Sequence, residues 1–275
     1  MSAEERPGWS DPFAPAGLTK LSPLDHVEEI TPEWAYGGST GKGVKVAVID
    51  SGVEAGHEAV GDVQGYVAIE EDRETRELKF RTDPHEDVCG HGTACAGIIR
   101  SLAPDCEIYS VRVLDALATG RGKVFVAGLR WAIENGMDVC NLSLTTPKKD
   151  LFGILHELVD RAYFRSIMLV TSANNMPVES FPATFSSVIS VASHDVDDPY
   201  LFYYNPAPPV EFGAHGIDVR VAWVDGRFIT STGNSFATPH IAGIVTKILG
   251  KHPGLTAFQT KVILHALAAN VRAGE

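Results

Sequence analysis

From residue 44 onward, the sequence alternates between short apolar runs and longer stretches with a helical period. Two of the runs, VKVAVID (44–50) and EIYSVRVL (107–114), predict strands that are buried on both faces. Three more predict strands: DVCNLSL (138–144), SIMLVTSAN (166–174) and SVISVAS (187–193). The helical period predicts helices at 122–136, 151–165, 235–249 and 257–270. This alternation predicts a three-layer α/β fold, with a mostly parallel central sheet flanked by helices.

The chain divides by composition into an arm and a domain. Residues 1–40 are rich in proline, glycine and charge, and we expect them to form an N-terminal arm with a short helical turn near 32–36. An arm of this length is too short to fold as an independent prodomain. We expect residues 41–275 to form one domain.

Charge and cysteine usage narrow the partners and the compartment. The net charge of −12 argues against nucleic acid as a partner, because phosphate contacts need Lys and Arg. The first twenty residues hold no apolar run of the kind found in secretion signals, and no stretch is apolar enough to span a membrane. The four cysteines form no C-x-x-C pairs, so we expect reduced thiols and a cytoplasmic protein that does not bind membranes.

Three segments hold the residue types that activate a serine. Asp50 ends an apolar strand, His91 lies between two glycines at the predicted start of a helix, and Ser235 opens another predicted helix. Each residue taken alone is better explained as a turn, a structural histidine or a helix cap. Together they supply a nucleophile, a base and an acid that orients the base. The order Asp–His–Ser is one of the known orders of a catalytic triad.

These motifs carry a resemblance to a known family. The segments VKVAVIDSGV, GHGTACAGII and GNSFATPHIAG resemble the aspartate, histidine and serine motifs of subtilisin-like serine proteases, and the match covers about residues 40–270. The resemblance is to an intracellular type without a prodomain. It implies Asp50, His91 and Ser235 as the triad. TSANN resembles the segment that carries the oxyanion-hole asparagine, which implies that role for Asn175.

The resemblance also implies the residues that bind substrate. The family binds a peptide as an added β-strand, and NLSLTT (141–146) resembles the segment that pairs with it. Ser143 and Leu144 would supply backbone and a pocket wall, and a second pairing segment maps onto 117–120. Three positions in this cleft differ from the usual family pattern and are predicted to contact substrate: Thr145, Asn174 and Asn234.

No cofactor is expected. A structural calcium ion near Asp83, Glu86 and Asp87 is a secondary expectation, since a solvated acidic loop explains the same residues. The oligomeric state stays open.

The sequence therefore predicts a serine endopeptidase that acts on a peptide or protein, with restricted specificity such as the processing of a precursor. Two alternatives stay open. One is an acyl-transferring peptide ligase or macrocyclase. The other is a peptide-binding pseudoprotease, which the altered residues beside the serine would favour.

Overall fold

The computed structural model describes residues 29–207 and 209–271. Most of the predicted arm, residues 1–28, lies outside these ranges. The described residues from Thr31 onward form one compact unit. None of its helices has the length and apolar character needed to cross a membrane.

The centre of this unit is a nine-stranded sheet. In chain order its strands are β1 (Lys45–Asp50), β2 (Gly65–Glu71), β3 (Leu78–Arg81), β4 (Glu107–Arg112), β5 (Val139–Leu142), β6 (Met168–Ser172), β7 (Ile189–His194), β8 (Phe202–Tyr204) and β9 (Phe212–His215). Their spatial order is β3-β2-β4-β1-β5-β6-β7-β9-β8. Only the two outermost described pairs, β2–β3 and β8–β9, run antiparallel. The mostly parallel sheet predicted from the sequence is confirmed.

The strand order places β1 at the point where a ligand site is expected. β1 pairs in parallel with β4 on one side and with β5 on the other, so the order reverses at this strand. In open α/β sheets, ligands bind outside the carboxyl ends of strands at such a reversal. Asp50 is the last residue of β1.

Helices cover both faces of the sheet. They are α1 (Pro32–Tyr36), α2 (His91–Leu102), α3 (Gly122–Glu134), α4 (Phe152–Tyr163), α5 (Asn234–Lys251) and α6 (Ala257–Leu267). α3 and α4 share a core cluster with Ala47 and Ile49 of β1. Since strand side chains alternate between faces, Val48 and Asp50 point to the other face, where α2 and α5 pack together. The three-layer architecture is confirmed.

A two-stranded hairpin lies beside α2. It consists of β10 (Val219–Trp223) and β11 (Arg227–Ser231), and its buried residues Val219 and Val221 pack against Ala94 and Phe236. The hairpin leads directly into α5, so it fixes how the chain enters the helix that carries Ser235. The sequence analysis did not predict this hairpin.

Helix α1 is attached to the C-terminal end of α5. Lys251 Nζ donates to the carbonyl oxygen of Gly37 at 2.8 Å, and the ring of His252 stacks on Trp34 with centroids 4.4 Å apart. His252 Nε2 also donates to the carbonyl oxygen of Trp34 at 2.8 Å. Residues 32–37, which the sequence analysis placed in the arm, therefore pack against α5.

Candidate active site

Asp50 and His91 form a buried hydrogen-bonded pair. His91 Nδ1 lies 2.9 Å from both carboxylate oxygens of Asp50, whose side chain is fully buried. The backbone N–H of Ser51 donates to Asp50 Oδ1 at 2.8 Å. With Nδ1 donating to a carboxylate, the neutral imidazole carries its lone pair on Nε2 and can accept a proton there.

The two glycines that flank His91 let α2 begin close to the end of β1. Gly90 precedes the helix with φ of 112°, a conformation that side chains disfavour, and a Cβ there would lie 2.4 Å from the ring of Trp223. A Cβ at Gly92 would lie 2.0 Å from the carbonyl oxygen of Gly52. Because neither position has room for a side chain, the imidazole can reach the Asp50 carboxylate.

Asp87 is the carboxylate that holds the start of α2. Its Oδ1 accepts from Ser51 Oγ, Cys89 N and Gly90 N at 2.8–2.9 Å. Its Oδ2 accepts from Thr93 N at 2.8 Å and from Thr93 Oγ1 at 2.7 Å. With five donors from the chain, this carboxylate is fully engaged in fixing the start of α2.

The two carboxylates control the protonation of His91. Burial of the imidazole opposes protonation, but the charge and hydrogen bond of Asp50, together with the charge of Asp87, outweigh it and raise the pKa of His91. The site therefore stabilises the imidazolium that forms when His91 takes a proton.

Ser235 and Asn175 approach each other across Gly233. The position of a Cβ on Gly233 would be 3.3 Å from Ser235 Oγ and 3.5 Å from Asn175 Nδ2, so the glycine leaves open the space between them. Ser235 is the second residue of α5, where a backbone N–H has no acceptor within the helix. This N–H and the Asn175 amide can therefore bind an oxygen that develops negative charge beside Ser235.

A buried polar cluster of Asn141, Ser143 and Cys95 contacts the backbone of Ser235. Ser143 Oγ donates to the carbonyl oxygen of Ser235 at 2.9 Å and accepts from Asn141 Nδ2 at 2.9 Å. The thiol of Cys95 also donates to Ser143 Oγ at 3.3 Å. The sequence predicted Ser143 as a backbone contact to substrate. The structure shows in addition that its side chain holds α5 in place.

The side chain of Asn234 turns away from the cleft. Its Oδ1 accepts from the backbone N–H of Ser193 at 2.9 Å, and its Nδ2 donates to the carbonyl oxygens of Asn174 at 3.2 Å and Ala173 at 3.4 Å. Asn234 was predicted to contact substrate, but these bonds place its side chain between β7 and the segment that carries Asn175. Both polar atoms of this amide bond backbone groups, and Asn234 is not among the described residues that line the cleft.

The remaining predicted substrate residues line one cleft with His91 and Ser235. This cleft has a volume of about 410 Å³, and Leu144, Thr145 and Asn174 form part of its wall. Asn174 Oδ1 accepts from the backbone N–H of Met176 at 2.9 Å, which fixes the turn beside Asn175. Thr119 and Gly120, from the second predicted pairing segment, lie on the wall as well.

The comparison with known proteins decides the family. A model of the Subtilase family matches residues 41–274, which is nearly the whole described domain. This chain is a subtilase. The resemblance found in the three sequence motifs is thereby confirmed.

Individual relatives agree with this assignment. The chain is 32% identical to the Minor extracellular protease Epr of Bacillus subtilis over 82% of its length, and 31% identical to Subtilisin E of the same organism over 84%. It spans about a third of Epr (35%) and 62% of Subtilisin E. A solved cold adapted subtilisin-like serine proteinase superposes with a TM-score of 0.67 at 26% identity, covering 86% of this chain and 87% of that one.

One group of side chains in this subtilase has the spacing of a metal site. Among the described residues, ligand atoms of Asp50, His91 and Cys95 lie within 4.8 Å of one another. Burial, together with the charge of Asp50, raises the pKa of Cys95 well above its ordinary value, so the thiol stays protonated. In the structure this thiol acts as a hydrogen-bond donor, to Ser143 Oγ at 3.3 Å.

Proposed function

We propose that this subtilase is a serine endopeptidase that hydrolyses peptide bonds through an acyl-enzyme. The observation that carries the proposal is the His91–Asp50 pair at the wall of a cleft that also holds Ser235 and Asn175. Because the chain spans only part of several relatives, the proposal concerns the reaction of this domain.

Asp50 and His91 transfer the hydroxyl proton of Ser235 to the leaving group. The carboxylate of Asp50 holds Nδ1–H of His91, so that Nε2 takes the proton from Ser235 Oγ as the oxygen attacks the scissile carbonyl carbon. His91 then passes this proton to the leaving amine as the carbon–nitrogen bond breaks. A water molecule releases the acyl group from Ser235 by the same steps in reverse.

Asn175 and the N–H of Ser235 stabilise the charged oxygen of the tetrahedral intermediate. Oδ1 of Asn175 is already bonded to the backbone N–H of Asn234 at 2.9 Å, which leaves Nδ2 as the group that can face the cleft. A donor fixed in advance costs no reorganisation when the charge develops, and one such donor contributes about 2.7–4 kcal/mol to catalysis.

The cleft favours restricted specificity. Thr145 places a β-branched side chain on the cleft wall, beside Leu144 and Asn174. Such a side chain narrows the pocket that receives the residue before the scissile bond, and a narrow pocket discriminates by size. Processing of a particular peptide or protein fits this wall better than general digestion.

We also propose that the enzyme works in a reducing compartment. All four cysteines are free thiols, and three of them are buried. Burial, the main cause, raises the pKa of Cys106 to about 11, so this thiol is unreactive near neutral pH. The name of the relative Epr describes that protein as extracellular, so fractionation of the native cells is the test of this proposal.

Cleavage of a peptide library by wild type and Ser235→Ala tests the reaction, with products identified by mass spectrometry. We expect linear fragments with wild type and none with the variant. Cyclic or ligated products would assign acyl transfer to an amine instead. Peptide binding without turnover by wild type would overturn the proposal in favour of a binding module.

A further inference from the structure

A second cavity adjoins the active-site cleft. It has a volume of about 580 Å³, and Gly120, Gly122 and Lys148 line both this cavity and the cleft. Arg76, Arg121 and Lys123 complete its positively charged lining. We call this cavity the cationic hollow.

A buried carboxylate organises two of its cations. Glu71 has a side chain that is only 4% exposed, and it bonds Arg76 Nε at 3.0 Å and Arg121 Nη1 at 2.7 Å. The hydrogen bond from Arg121 lowers the pKa of Glu71, which keeps the carboxylate charged. Each arginine uses one guanidinium nitrogen on Glu71 and keeps further N–H donors for another anion.

Lys148 brings positive charge to the cleft itself. It is exposed, and within the described part of the chain its ammonium group forms no hydrogen bond or ion pair. Its lining neighbours in the cleft carry no carboxylate. The hollow has four cationic side chains against the carboxylates of Glu71 and Asp150, although the whole chain has a net charge of −12.

We propose that the cationic hollow binds an acidic side chain of the peptide substrate, with Lys148 as the residue that selects it. This inference rests on the proposed endopeptidase function and names its substrate class. A carboxylate seated here would face the unsatisfied N–H donors of Lys148 and of the two arginines, and hydrogen bonds between charged partners are the stronger ones.

The chain path sets how far the acidic residue lies from the scissile bond. Ser143 contacts Ser235, and Lys148 follows it by five residues along the cleft wall. Since an extended chain advances about 3.3 Å per residue, a bound peptide reaches Lys148 within about five residues of the bond that is cut. We therefore expect the acidic residue of the substrate about three to five residues from the scissile bond.

Peptides that differ only by Glu or Gln at each position test the proposal. We expect wild type to favour Glu at one position by about five-fold in kcat/KM, the size of a partly exposed ion pair, and less at high salt. Lys148→Met should remove the preference, and Lys148→Glu should reverse it so that Gln is favoured over Glu. Lys149→Glu is the matched control, since Lys149 is exposed and lines neither cavity, and it should keep the preference.

Binding of the same peptides to Ser235→Ala separates the two proposals. If wild type cleaves none of the peptides, the endopeptidase proposal fails, while fluorescence anisotropy on Ser235→Ala still measures whether Glu binds more tightly than Gln. Equal values for Glu and Gln at every position would overturn the inference about the hollow. A preference for Glu over Gln that persists in Lys148→Glu would also overturn it. So would a preference that Lys149→Glu abolishes to the same extent as Lys148→Glu.

Discussion

The backbone N–H of Asn234 donates a 2.9 Å hydrogen bond to the side-chain oxygen of Asn175. The same residue bonds the carbonyl oxygens of Ala173 and Asn174 through its side-chain nitrogen. The residue beside the nucleophile thus fixes both the backbone and the amide orientation of the segment that carries Asn175. The side chain of this distinctive asparagine contacts this segment and β7.

Replacement of Asn234 by Thr tests this relationship. Threonine is shorter and branched, so we expect the bonds to Ala173 and Asn174 to be lost and Asn175 to be held less firmly. The expected result is a fall in kcat of about ten-fold with little change in KM, from bonds of roughly 1 kcal/mol each. The steady-state kinetics of wild type and variant on one peptide measure this.

A peptide boronate distinguishes this effect from a general loss of structure. The boronate mimics the tetrahedral intermediate, so its affinity should fall with kcat, while binding of the uncleaved peptide to Ser235→Ala should not change when Asn234→Thr is added. Unchanged boronate affinity in Asn234→Thr would show that this asparagine does not position Asn175.

Asp87→Asn should move the pH dependence of activity. The neutral form of His91 is the base, so activity rises as pH passes upward through the raised pKa of His91. Removing the Asp87 charge lowers that pKa, and the acid limb of kcat/KM should shift to lower pH. Asp83→Asn changes the net charge equally at an exposed position and should leave the limb in place. A limb that stays fixed in Asp87→Asn contradicts the assigned influence of Asp87.

Thr145→Gly should widen the pocket next to the scissile bond. We expect kcat/KM to rise about ten-fold for substrates with a large aromatic residue before that bond, the effect of a relieved clash in a pocket. Substrates with alanine at the same position should change little. Thr145→Ser, which removes only the methyl group, is the intermediate control. Equal effects on both substrates would mean that Thr145 does not limit the pocket.

Acid should destabilise the fold through His240. Burial, the main cause, lowers the pKa of His240 to about 4, so between pH 6.5 and 4 the unfolded chain takes up a proton that the folded chain excludes. The contribution of His240 to stability is therefore full above pH 6.5 and falls as pH drops to 4, by an amount on the order of 3 kcal/mol. His91 has a raised pKa, so the folded protein holds its proton more tightly than the unfolded chain does. The contribution of His91 to stability is therefore lost as pH rises above 6.5.

Urea unfolding of Ser235→Ala at pH 7 and pH 5 measures this loss without self-digestion. In the same background, His240→Gln should flatten the pH dependence, because glutamine does not titrate. A pH dependence that survives His240→Gln unchanged would assign the acid sensitivity to other groups.

The sequence predicted the centre of the fold better than its edges. β1, β5 and β6 are buried along almost their whole length, and β4 and β7 along part of it, so each gives a run with enough apolar residues to be recognised in the sequence. The edge strand β3 (Leu78–Arg81) is mostly exposed, and β8 has only three residues, so neither gives such a run. The sequence of such an edge segment has no strand pattern of its own, because the segment is extended only where it pairs with a neighbouring strand.

Within the site, the sequence indicated which residues meet but not which way side chains turn. The structure brings Asp50, His91, Ser235 and Asn175 together around one cleft, as their motifs predicted. The role of Asp87 was missed, because it lies N-terminal to Gly90, the N-cap residue of α2, where no local capping pattern marks it. The direction of the Asn234 amide depends on acceptors from distant strands, which no local pattern contains.

The most direct test of the central claim is labelling of the folded protein with a fluorophosphonate, followed by peptide mapping. The account predicts one adduct, on Ser235, that forms rapidly in wild type, slows strongly in His91→Ala and is absent in Ser235→Ala. An unlabelled Ser235 in folded wild type, or an adduct that forms equally fast without His91, would contradict the claim that Asp50 and His91 activate this serine.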